Sequence, residues 1–180
     1  MRSWTLELTP VSIARRPDAK TMRLPPSQNS GGMGMHWQTR KRWNEGFKVM
    51  VKCLLRQHNV RPLAKARVTV VNYCLEAHMR DRDNLTGCVK PMVDALTEYG
   101  IVADDREQYV DLVCRNVAVP KMKDKRVTMT IEEMEGPEPV RCACGWPHSI
   151  RKCKTCGSPM CKRCHDPRLN IHRCASADNN

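Results

Sequence analysis

Polar and apolar residues alternate at Trp4-Thr5-Leu6-Glu7-Leu8, a period of two that predicts a short strand with one buried face. A loop with Gly31, Gly32 and Gly34 follows over Ser27 to Met35. From Arg40 to His58 the period lengthens. Phe47, Val51, Leu54 and Leu55 recur along one side of a helix, and Lys48, Lys52 and Arg56 form a basic stripe at i, i+4 and i+8. Ala66 to Glu76 carries the β-branched Val68, Val70 and Val71 with Thr69 and Tyr73, and reads as a strand. Met92, Val93, Leu96 and Tyr99 recur at helical spacing; Pro91 suits the first turn of that helix and Gly100 a left-handed C-cap. After the apolar link Ile101-Val102, Gln108 to Val119 and Arg126 to Glu133 read as two more strands, with a turn over Pro120 to Lys125. This order predicts an α+β fold, a mixed four-stranded sheet with both helices on one face.

Two acidic clusters interrupt the pattern. One is Arg80-Asp81-Arg82-Asp83-Asn84-Leu85; the other is Asp104-Asp105. Crowded carboxylates repel one another unless a cation neutralises them, and hard divalent cations such as Mg²⁺ take carboxylate oxygens. If the strand runs on to Asp83, Asp81 and Asp83 share a face about 6.6 Å apart. The helix and its return then bring Asp105 alongside as third ligand. Asp104 is either a fourth ligand, a turn cap or a partner of a ligand. Lys90 lies four residues before Asp94, a spacing that also fits a plain helical ion pair. Held metal on a basic protein points to attack on a phosphodiester, whereas an aspartate pair alone is more often a solvated turn.

Charge is segregated. The net +12 divides into 15 Lys and Arg against 4 Asp and Glu in residues 1–80, 8 against 13 in 81–140, and 8 against 2 in 141–180. Basic flanks attract phosphates and the acidic centre attracts metal. His36, Trp37, Arg40, Lys41, Arg42 and Trp43 interleave aromatic and basic residues, as unpaired or distorted DNA requires; Trp43 reads rather as a core residue at the helix start. Arg80 and Arg82, flanking the first aspartates, join the candidate DNA contacts. No secretory or membrane-spanning apolar run is present, so a cytoplasmic protein of a bacterial or phage-infected cell is expected.

At these residues the chain resembles the RusA-type Holliday junction resolvases. Their pattern, Asp-x-Asp-Asn-Leu, a Lys, an Asp-Ala-Leu helix, a Gly and Asp-Asp, is matched here by Asp81, Asp83, Asn84, Leu85, Lys90, Asp94, Ala95, Leu96, Gly100, Asp104 and Asp105. Pro25-Pro26-Ser27-Gln28-Asn29 is similar to the family's Pro-Ser-x-Asn loop and adds Asn29 to the DNA-binding candidates. The resemblance spans residues 1–136, with about three residues around Thr86-Gly87-Cys88 inserted before the helix. It implies a RusA-like fold and a catalytic set of Asp81, Asp83, Asp105 and Lys90. It also implies Mg²⁺ at Asp81, Asp83, Asp104 and Asp105, a four-way DNA junction as substrate, and a homodimer whose two-fold axis matches that of the junction.

Beyond the linker at 137–141, residues 142–174 hold seven of the eleven cysteines. Eight candidate zinc ligands form four pairs: Cys142/Cys144, Cys153/Cys156, Cys161/Cys164 and His172/Cys174, with His148 and His165 as alternatives. Four sequential pairs resemble the cross-brace zinc fingers, which close two structural Zn²⁺ sites. Seven thiolates and two ions bring the module's charge to roughly +3, so DNA and a protein partner compete as its target. Residues 175–180 read as a disordered tail. Cys53, Cys74 and Cys114 read as small core residues. The leading function is therefore a Mg²⁺-dependent, structure-selective endodeoxyribonuclease acting in DNA recombination and repair. The alternative is a non-catalytic zinc-finger nucleic-acid-binding or regulatory protein.

Overall fold

The computed structural model describes residues 2–8, 24, 37–136, 142, 144, 151–152 and 159–160. Its main body is one mixed sheet. Strand β1 (Ser3–Leu8), helix α1 (Trp37–Gln57), β2 (Lys65–Cys74), α2 (Arg82–Glu98), β3 (Val110–Ala118) and β4 (Arg126–Met134) follow in order, and the sheet order is β1-β4-β2-β3. β1 and β2 both run antiparallel to β4, while β2 and β3 are parallel, joined by the α2 crossover.

Register explains which face is buried. Val68 lies opposite Leu112 and Ile131, Val70 opposite Cys114 and Met129, and Leu6 opposite Met129. Those alternate positions carry the helices; Leu6, Val68, Val70, Met129 and Ile131 are fully buried. From α1 come Phe47, Val51 and Leu55, and from α2 Leu85, Val89, Met92 and Leu96. Trp43 stacks on Phe47 with ring centroids 6.2 Å apart and packs against the core. The opposite face of the sheet carries Thr5, Arg67, Thr69, Tyr73, Val113 and Arg115, with the Arg126 guanidinium 3.9 Å from the Tyr73 ring centroid.

Gly100 takes φ 72°, the left-handed cap that lets the chain turn from α2 into buried Ile101 and Val102. Three expectations change. The second strand ends at Cys74 and gives way to a 3₁₀ turn at Glu76–His78, so Asp81 and Asp83 are not on a strand. The second helix begins at Arg82, not Pro91, because the Asp81 side chain accepts from the Asn84 backbone N–H at 2.8 Å and caps it there. Pro91 thus lies inside the helix, where its missing N–H leaves the Gly87 carbonyl without a helical donor; it is tolerated among buried neighbours on both sides. Cys53 is exposed on α1 and not a core residue, since it lies off the Phe47-Val51-Leu55 stripe; Cys74 is buried and Cys114 half-buried.

In the C-terminal region a two-stranded antiparallel ladder, β5 (Arg151–Lys152) with β6 (Pro159–Met160), is described. Cys153 and Cys156 fall between these strands in sequence and, with Cys161, Cys164, His172 and Cys174, lie outside the described residues, as do His148, His165, the linker residues 137–141 and residues 175–180.

Candidate active site along the second helix

Residues Asp81 to Asp105 all belong to the crossover between the parallel strands β2 and β3. The start of α2 is held from below by an asparagine pair. Asn72, buried in β2, donates its Nδ2 to Asn116 Oδ1 of β3 at 2.9 Å. Asn116 donates Nδ2 to the Arg80 carbonyl at 2.7 Å, one residue before the cap. The Arg80 guanidinium turns inward and donates to the Cys88 thiol inside α2. Burial pushes the Cys88 thiol up, with Arg80 opposing, so it stays a neutral acceptor. Arg80, half-buried, is thereby a strut between loop and helix.

Asp81 stands at that fixed point, its two carboxylate oxygens accepting from the Asn84 N–H at 2.8 Å and Nδ2 at 2.7 Å. Asp83 follows in the first turn and is exposed, as is Arg82. Helix N-termini attract anions, so the same turn offers carboxylates to a cation and amides to a phosphate.

Two turns further on, Lys90 bridges two carboxylates. Its Nζ is 3.2 Å from Asp94 Oδ1 and 2.9 Å from Asp105 Oδ2. Lys90 thus makes the helical i, i+4 pair and also reaches the second acidic cluster. Asp104 Oδ1 accepts from the Asp105 N–H at 2.8 Å and its Oδ2 pairs with Arg106 at 3.2 Å, so it caps the turn. Interaction with Asp104 and then the Lys90 ammonium holds the Asp105 carboxyl down to about 2, and Asp105 in turn raises Lys90.

Thr86-Gly87-Cys88 is helical. These three residues contribute about 4.5 Å of rise to α2. The seven residues from Asp83 to Lys90 span about 10.5 Å along the axis, yet return to nearly the same face. Among the described residues no three carboxylate, histidine or cysteine side chains converge as a metal cage. Mg²⁺ needs no such cage: it commonly takes one or two carboxylates, waters and substrate phosphate. Asp81 and Asp83 are exposed carboxylates open to an ion at the start of α2, without the shared face a strand would have given them, while Asp105 is engaged by Lys90.

Of the other DNA-contact candidates, Trp37 is 64% exposed at the start of α1, and Lys41 and Arg42 are exposed. Arg40 is half-buried with its Nε lacking a hydrogen-bond partner among the described residues. Asn29 and His36 lie outside the described residues. Asn72 and Asn116 escape the sequence reading. Their signal is a polar amide amid strand residues, Val70-Val71-Asn72, where an unpaired one would be costly.

At the C-terminal module, Cys142 Sγ and Cys144 Sγ are 3.3 Å apart and not disulfide-bonded. Cys144 Sγ donates to Cys142 Sγ, and the pair stands about half an ångström closer than the roughly 3.8 Å of two thiolates sharing one tetrahedral zinc. No helix among the described residues is long and apolar enough to cross a membrane. No protein-family model matches the chain, and neither does any curated protein.

Proposed function

We propose that the chain is a Mg²⁺-dependent endodeoxyribonuclease that resolves four-way DNA junctions as a homodimer, with a structural two-zinc module at its C-terminus. The observation that carries this reading is that Asp81, Asp83, Lys90 and Asp105, the residues of the family-like motif, lie on one helix and the loop it delivers, with Lys90 in direct contact with Asp105. Asp81 and Asp83 would hold Mg²⁺, which supplies a Lewis acid and an acidified water. The protein's own part is electrostatic. Amides at the α2 N-terminus and, two turns further on, the Lys90 ammonium would each offer positive charge to a phosphate of the substrate. Asp105 keeps Lys90 protonated and aimed, and can release it when substrate brings its own negative charge. The zinc assignment is supported by the four sequential Cys and His pairs from Cys142 to Cys174.

The alternative, a non-catalytic nucleic-acid-binding protein, draws on one observation: Asp105 is neutralised by Lys90 rather than grouped with Asp81 and Asp83. One experiment separates the two. Labelled four-way, forked and linear DNA are incubated with purified protein with and without Mg²⁺. Paired nicks in the junction that need Mg²⁺ support the nuclease; tight binding without any cleavage in Mg²⁺ or Mn²⁺ rejects it.

A further inference from the structure

The basic stripe of α1 ends in a cleft. A cavity of about 520 Å³ opens where the C-terminal ends of α1 and α2 meet. Its rim carries Lys52, Arg56, Asn59 and Tyr99, and its floor is the apolar Leu55 and Ile101. Solvated lysines normally sample many rotamers, but here the cations are positioned. Lys48 is tied to Glu98 and largely buried, which neutralises the acid on the cleft wall. Lys52 Nζ lies 4.7 Å from the Tyr99 ring centroid, a cation–π contact that holds it at the rim. Among the described residues neither Lys52 nor Arg56 has a carboxylate within ion-pair distance. Burial, and after it Glu98 and Glu45, push the Tyr99 hydroxyl up, so it remains a donor at neutral pH. The cleft thus offers one held cation, Lys52, the exposed Arg56 one turn further on and a phenol, with its one acid already paired.

We infer that this cleft binds the phosphate backbone of a nucleic acid, gripping one strand of a substrate whose scissile phosphate lies further along α2. This grip rests on the DNA reading above and adds a second point of attachment to it. Lys52 and Arg56 are separated by about 6 Å along the helix axis, close to the rise of two phosphates on one strand at about 3.4 Å each. A pre-positioned cation loses little freedom on binding, which distinguishes the half-buried Lys52 from the exposed Lys41 and Arg42 at the other end of α1.

The test is the salt dependence of binding to a fluorescent four-way junction, without divalent metal, for the full-length wild type and for Lys52→Ala/Arg56→Ala. A Lys52→Gln/Arg56→Gln variant, which keeps the side-chain bulk, runs in parallel. The plot of log affinity against log salt should flatten by about 1.8 for each subunit that grips the junction, about 0.9 for each phosphate no longer neutralised, and so by about 3.6 in both variants when both subunits of the dimer engage. Affinity at 0.1 M salt should fall roughly 60-fold per gripping subunit, the same slope change taken over one decade from 1 M. If the wild type binds with a steep slope and both variants change it by less than about 0.9, the cleft is not a phosphate site and the DNA reading stands. If the wild type binds no DNA even at low salt, both fall.

Discussion

Replacing Asn116 with alanine should destabilise the fold well beyond an average surface change. The side chain accepts from Asn72 at 2.9 Å and donates to the Arg80 carbonyl at 2.7 Å. Its removal strands two groups. Asn72 is only 8% exposed, and its amide would keep only a weak contact to Cys74 Sγ at 3.4 Å. A buried donor left unpaired costs about 1–3 kcal/mol. The Arg80 carbonyl, closer to water, adds about 0.5–1 kcal/mol. Asn116→Ala should therefore cost about 2–3 kcal/mol. With a urea slope near 2 kcal/mol per M, the midpoint should drop by roughly 1–1.5 M. Asn72→Ala leaves only the half-buried Asn116 oxygen unpaired and should cost about 1 kcal/mol. In the double variant the stranded donor is gone, so the cycle should show coupling of about 1 kcal/mol or more. Far-UV circular dichroism through a urea series measures all three. A midpoint for Asn116→Ala within about 0.3 M of wild type at unchanged slope, or strict additivity in the double variant, would refute the idea that this pair anchors the α2 start.

Asp81→Asn should abolish Mg²⁺-dependent cleavage while keeping the helix cap, because asparagine caps as well as aspartate; Asp81→Ala should lose both, with about 1 kcal/mol of stability, and cleavage by Asp81→Asn at wild-type rate would remove it from the catalytic set. The Lys90–Asp105 pair should stabilise by less than about 1 kcal/mol, being half exposed. Asp105 is held near 2, below the ordinary value of about 3.9, so its contribution is whole above about pH 4 and fades as pH falls towards 2. Lys90 is raised, so its contribution persists through neutral pH and is lost only as pH climbs past its elevated value; a Lys90→Met variant whose stability deficit stays constant from pH 7 down to 2 would contradict this. Elemental analysis should find two zinc ions per chain, and truncation after Glu138 should leave cleavage intact; zinc near zero in protein purified without chelator rejects the module. Light scattering should give a dimer, free and junction-bound, and a monomer in both states would rule out paired nicking by one assembly.

The periodic segments are legible because burial imposes them: Phe47, Val51 and Leu55 form one stripe on α1, and Val68 and Val70 form one face of β2. Helix two reads too short for an identifiable reason. Pro91 looks like a helix start, and the cap ten residues earlier consists of an aspartate that also looks like a metal ligand. Asp81 serves backbone geometry whatever else it does, and the one-dimensional pattern does not separate the two roles. The Lys90–Asp94 spacing is readable; the reach to Asp105 is not, because it depends on how Gly100 turns the chain. The Arg80 contact is hidden for a related reason: the bond to the buried Cys88 thiol depends on how the loop meets α2. The exposure of Cys53 shows the converse, an apolar residue type outside the stripe that the core requires.

The parallel pairing of β2 with β3 has a consequence for synthesis. Lys65 to Cys74 pairs with Val110 to Ala118, and everything proposed to do chemistry is strung between them. A nascent chain therefore has no assembled centre until its hundred-and-eighteenth residue is free to fold, and β2 then still waits for β4 on its other side. Long-range strand pairing is slow compared with local helix formation. Helix α2 would form first and its Asp81 cap would precede the Asn116 anchor that fixes it. The proposed cleaving activity is thus withheld from a translation product interrupted before β3, which carries the whole acidic motif and yet no organised site.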